Sequence, residues 1–149
     1  MGQAMGFVKF IGFAVAGFVM CVTSEILRAD VVVVVATSSP VKALARNQVA
    51  DIFLGKTSRF PDGGQAVPID QNEDSPIRDE FYSKFTGKSA PQLKAHWSKI
   101  IFTGRGQPPL ALSGSAEIKK RIAANPDSIG YIEARDVDGS VRALPPSPQ

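Results

Sequence analysis

The sequence predicts an α/β domain, a small sheet with helices on both faces, in the order β-α-β-α-α-α-β-β. Three observations carry this. Residues 31–36, VVVVVA, form a continuous β-branched run of the kind found in strands covered on both faces. Apolar residues then recur at helical spacing in separate later segments. Short apolar strand patterns at residues 66–70, 129–133 and 141–144 alternate with those segments.

Each element has a local reason. Thr37, Ser38, Ser39 and Pro40 break the first strand. Leu44, Val49, Ile52 and Phe53 follow at helical spacing, and Gly55 is a natural terminator, so a helix is expected over residues 44–54. A turn cluster from Phe60 to Gly64 leads into the second strand, AVPID. Ser75 and Pro76 open the next helix, because serine caps free amides and proline suits the first helical position. Ile77, Phe81 and Phe85 give it an apolar stripe, and Gly87 ends it. Ser89, Ala90 and Pro91 open another helix, with Leu93, Trp97 and Ile100 as its stripe up to Phe102. Residues 104–109 read as a loop. Ser113-Gly114-Ser115 starts a further helix that carries Ile118 and Ile122 and stops at Asn125-Pro126. The last two strands flank an Asp138-Gly139 turn, and residues 145–149, PPSPQ, are expected to be a disordered tail.

The N-terminal 29 residues read as an export signal. Lys9 precedes an apolar run of 13 residues from Phe10 to Val22, short for a membrane span. The expected cut follows Ala29; the rival reading is an uncleaved anchor. Cys21 is the only cysteine and follows Met20, which is not the small residue a lipoprotein signal needs. Residues 30–149 then hold no cysteine, which excludes disulfides, thiolate metal sites and a cysteine nucleophile. That stretch carries 15 basic and 13 acidic residues, too balanced and scattered for a nucleic-acid binder. The expected domain is residues 30–144, in the periplasm.

A more specific signal lies in the order of motifs. Val49-Ala50-Asp51-Ile52-Phe53-Leu54-Gly55-Lys56, then Phe60-Pro61-Asp62-Gly63, resembles the "IF-G-K … W-DG" stretch of periplasmic phosphate-binding proteins of ABC transporters. Val67-Pro68-Ile69 followed by Ser75 and Phe81 is similar to the strand and ligand-loop helix that come next. Ser128-Ile129-Gly130-Tyr131 resembles the late SIGY strand of the same family. The resemblance spans nearly all of residues 31–144 and implies one lobe of a type II periplasmic binding protein. In that family two lobes close around phosphate and the complex is delivered to an ABC transporter. This sequence resembles one lobe, and the role the resemblance implies is binding of phosphate, or a similar oxyanion, linked to an ABC permease. A single lobe can hold an anion openly, form a homodimer, or serve as an interaction domain.

The resemblance also locates the ligand loop. The family's Arg-x-Asp-x-Ser-Gly-Thr-Thr falls on residues 71–78, where Gln71 replaces the arginine and Pro76 the glycine. Ser75 is retained, and Glu73 stands for the aspartate. The loss of the arginine removes a bidentate charged contact, for which Arg78 is a substitute one turn inward. The candidate anion-binding residues are therefore Thr37, Ser38, Ser39, Ser75 and Arg78. Two helix starts, after the first strand and at Ser75, offer amides and hydroxyls to an anion; the bland reading is that these hydroxyls only cap their own helices. Ser113 to Ser115 is a third such start, read as a cap.

Other chemistry is absent by spacing. His96 has no nucleophile or metal partner at a useful interval and reads as a surface residue. Asp70, Glu73, Asp74 and Asp79 lack the calcium-loop pattern and read as a solvated loop and first helical turn. Lys119-Lys120-Arg121 reads as a solvated helix face. No metal, cofactor or catalytic residue is expected, and an enzyme is the least supported class. The rival to a receptor is an accessory or sensory domain of the envelope, the same lobe without its ligand.

Overall fold

The structure, a computed structural model, describes residues 30–145. The expected signal segment and residues 146–149 of the expected tail lie outside the described residues.

The apolar first run forms β1 (Val31–Ala36). The next helix, α1 (Arg46–Phe53), starts two residues later than its apolar spacing suggested. The side chain of Gln48 reaches back to accept from the Ala45 amide at 2.8 Å, which sets the start there. β2 (Val67–Gln71) leads to α2 (Pro76–Thr86), which opens on proline and ends at Gly87 in the left-handed region, φ 70°. α3 (Ala90–Phe102) begins with a reciprocal cap. The Ser89 hydroxyl accepts from the Gln92 amide at 3.4 Å, and the Gln92 side chain accepts from the Ser89 amide at 2.9 Å.

One strand departs from the expected order. β3 (Leu110–Leu112) pairs with β2, so the order is β-α-β-α-α-β-α-β-β. Three residues with exposed side chains at two positions are too short to display an alternating pattern. Then follow α4 (Gly114–Ala123), β4 (Ser128–Glu133), a 3-10 turn (Ala134–Asp136) and β5 (Val141–Ala143).

The five strands form one sheet in the order β3-β2-β4-β1-β5. β2 runs parallel to both β3 and β4, whereas β1 is antiparallel to β4 and β5. The alternating side chains of β1 divide the core. Val31, Val33 and Val35 face a cluster built from α1, α2 and α3, with Phe53, Phe81 and Leu93 inside it. Val34 and Ala36 face the smaller cluster under α4, with Ile118 and Ile122. Helices therefore cover both faces, as the unbroken apolar strand requires. Gly130 lets α4 approach: a Cβ there would stand 2.6 Å from the Ile122 terminal methyl. Among the described residues no helix is long and apolar enough to cross a membrane.

Candidate anion-binding site

The carboxyl ends of parallel strands are where open α/β sheets hold ligands. Here that end belongs to β2, β3 and β4. The Asn72 amide donates to the Leu112 carbonyl at 3.2 Å, so the starts of α2 and α4 lie side by side. A polar knot fills the space below. Asp70, only 3 % exposed, sits near the end of β2. Its Oδ1 accepts from the Tyr131 hydroxyl and from the Gln71 amide at 2.8 Å. Its Oδ2 accepts from the Tyr82 hydroxyl at 2.8 Å and from Arg78 Nε at 3.4 Å.

The surrounding fold places these groups. Arg78 and Tyr82 are four residues apart on α2 and so share a face, with the guanidinium carbon 5.2 Å from the tyrosine ring centroid. Tyr131 stacks on Phe81 with centroids 3.9 Å apart, which fixes its ring against α2. Both phenols are pushed well above the ordinary tyrosine range, by burial first and then by the neighbouring Asp70 carboxylate. They remain donors, and a buried carboxylate keeps every acceptor position engaged.

Gln71 stands where the resemblance puts an arginine, and its side chain is consumed internally. Its Nε2 donates to the Tyr131 carbonyl at 3.0 Å, and its Oε1 accepts from the Ser75 hydroxyl at 2.8 Å. Ser75 therefore neither caps α2 nor offers its proton outward. Arg78 behaves differently. It is 9 % exposed, and Asp70 engages only its Nε. Its terminal nitrogens make no hydrogen bond with the described residues. Arg78 lines a cleft of about 520 Å³ between the start of α2 and one face of α3, together with Glu73, Lys94, Trp97, Ser98 and Pro108. Two cations and a serine hydroxyl line it as donors suited to an oxyanion, with the Glu73 carboxylate as an opposing acceptor.

The other expected site residues lie elsewhere. Because β1 is antiparallel to β4, with Val35 opposite Ile129, its end points toward the start of β2 and β4. Thr37, Ser38 and Ser39 thus stand at the opposite end of the sheet from Ser75 and Arg78, roughly 15 Å away at 3.3 Å per residue. They do not share a cradle with Ser75 and Arg78. Ser39 is buried, its hydroxyl accepts from the Val41 amide at 3.3 Å, and Arg142 clamps its carbonyl at 2.8 Å. Thr37 and Ser38 are exposed.

Two further expectations are corrected. Asp70 is not a solvated loop residue: only Glu73, Asp74 and Asp79 of that cluster are exposed. His96 is not a free surface residue, because its Nε2 lies 2.8 Å from the Leu54 carbonyl and ties α3 to the end of α1. The contributions of Tyr82, Tyr131 and Lys94 had no sequence signal beyond the four-residue spacing of Arg78 and Tyr82. Ser113, expected as a cap, makes no side-chain cap hydrogen bond to α4. Among the described residues no group of three or more metal-ligating side chains converges.

The fold is similar to that of several solved structures. An ABC-type phosphate transport receptor from Vibrio cholerae superposes with a TM-score of 0.61 at 21 % identity, over 77 % of this chain and 45 % of that one. This is the periplasmic-binding-protein fold. A protein from Clostridium perfringens, assigned as a phosphate ABC transporter substrate-binding protein and solved with bound phosphate, gives 0.60 at 28 % identity over 77 % and 44 %. PstS from Borrelia burgdorferi gives 0.56 at 14 % identity over 80 % and 49 %. The chain thus spans about half the length of the solved chains it matches. No family model matches it, and no curated protein does.

Proposed function

We propose that this chain is a non-enzymatic receptor-type domain that binds phosphate or a related oxyanion in the cell envelope, beside an ABC permease. The observation that carries the reading is Arg78. A nearly buried guanidinium is held by one nitrogen on Asp70 and lines a cleft with Lys94 and Ser98 at the carboxyl end of β2. Burial strengthens a charge-assisted contact, and the Asp70 anchor fixes the direction from which an anion is met. Likeness to solved phosphate receptors supports the ligand class. Export through residues 1–29 and a periplasmic setting for residues 30–144 belong to the same proposal.

A second reading is favoured by one contact. The Gln71–Ser75 hydrogen bond closes the loop that the resemblance assigns to the ligand, as in a domain that serves a partner instead. Calorimetric titration of the full chain with phosphate, sulfate and molybdate separates the two. The receptor reading expects saturable heat with phosphate, weakened by Lys94→Glu, whose side chain is exposed and leaves the core untouched. No heat and no thermal shift at millimolar anion would overturn it and leave the accessory or sensory domain.

A further inference from the structure

A second cleft lies beyond the Arg78 cleft and shares Trp97 and Pro108 with it. It measures about 710 Å³ and opens beside the starts of β2 and β3, between the segment after α1 and the loop that follows α3. Lys56, Arg59, Arg105 and Arg121 line it, and no acidic side chain does. Two different stretches of chain and a helix on the other face of the sheet supply these charges, so no single local sequence run accounts for them.

Their pairing is weak. Lys56 is 3.8 Å from Asp51, with both side chains largely exposed, a geometry worth little. Arg59 uses one terminal nitrogen on the Gly63 carbonyl at 2.9 Å. Arg105 and Arg121 form no ion pair among the described residues. Cations left together without counter-charge raise the local potential and concentrate anions.

Apolar side chains stand between them. Trp97 packs so closely on Gly55 that a Cβ there would stand 2.9 Å from the indole, and Gly55 itself has φ 73°. Ile100, Pro108 and Leu110 extend that surface. Apolar side chains beside several charged groups, at this volume, are the composition of a small-molecule site.

We infer that this cleft is a second binding site, for a small organic anion with a flat apolar body and one or more sulfonate, phosphate or carboxylate groups. The body lies against Ile100 and Leu110, and the charged groups reach Arg105 and Arg121. Nothing in this depends on an anion at Arg78.

The probe is anilinonaphthalene sulfonate, titrated into the full chain, with energy transfer from Trp97, the single tryptophan, as the readout. One saturable site is expected, weakening as salt rises. Arg105→Glu with Arg121→Glu should weaken it about tenfold or more, while Lys94→Ala, an exposed residue of the other cleft, leaves it unchanged. If the double variant loses its thermal transition, Lys56→Glu alone should still weaken binding about threefold. Affinity unchanged by charge reversal, no transfer in the parent chain, or transfer abolished by Lys94→Ala would overturn the second site. Phosphate titrations run alongside keep the two readings apart: loss of the phosphate response with probe binding intact removes the receptor reading only.

Discussion

The two ends of the parallel strands handle charge in opposite ways. At the carboxyl end, Asp70 is buried and each of its oxygens is answered by Tyr131, Gln71, Tyr82 or Arg78. At the starts of β2 and β3, four cations border the larger cleft without an acidic neighbour in its lining. The first arrangement is a buried structural unit that leaves the terminal nitrogens of Arg78 toward a cleft; the second is only weakly paired. A buried charge is paired before it can meet a ligand, and an exposed charge can stand with little pairing at small cost.

The sharpest way to break this comparison is Asp70→Ala. It leaves the Arg78 cation and two phenols without their acceptor, and removing one partner of a buried ion pair costs about 3–5 kcal/mol. Urea denaturation of the full chain should show that loss; a change below about 1 kcal/mol would mean the knot is not a stabilising unit.

Alkaline pH gives the next effect. The unfolded tyrosines titrate at 10.0, whereas burial and the Asp70 carboxylate hold Tyr82 and Tyr131 protonated well above that value. The unfolded chain then binds fewer protons, so stability is complete below pH 10.0 and falls as pH rises beyond it. The slope should reach about 1.4 kcal/mol per pH unit for each tyrosine. Urea midpoints at about pH 9 and about pH 11 measure it, and Tyr131→Phe should halve the drop. A flat profile would mean that the phenols are reached by solvent.

The smallest effect belongs to the open cleft. Arg105→Ala should change stability by less than about 0.5 kcal/mol, because the side chain is exposed and forms no ion pair among the described residues. A larger loss would place Arg105 in the structural category with Asp70.

Much of the fold was legible because its signals are local. Pro76 and Gly87 bracket α2, Ser89 and Gln92 cap α3, and the apolar stripe of Leu93 and Trp97 faces the core as its spacing requires. β3 was not legible, since three half-exposed residues take their extended form from pairing with β2. The candidate site was legible in part. Ser75 and Arg78 do stand at the carboxyl end of β2. Thr37 to Ser39 do not, because a buried apolar strand shows the same pattern in either direction.

What residue order determines here is which stretches are helical, which strand is covered on both faces, and where each helix stops. Those follow from dihedral preference, capping and apolar spacing within a few residues. Strand direction, the burial of Asp70 and the gathering of Lys56, Arg59, Arg105 and Arg121 come from packing alone. Asp70 and Tyr131 lie 61 residues apart, and Lys56 and Arg121 are brought to one cleft from opposite faces of the sheet. Contacts at such separation leave no periodic trace in the chain, so the chemistry of both clefts exists only once the sheet has assembled.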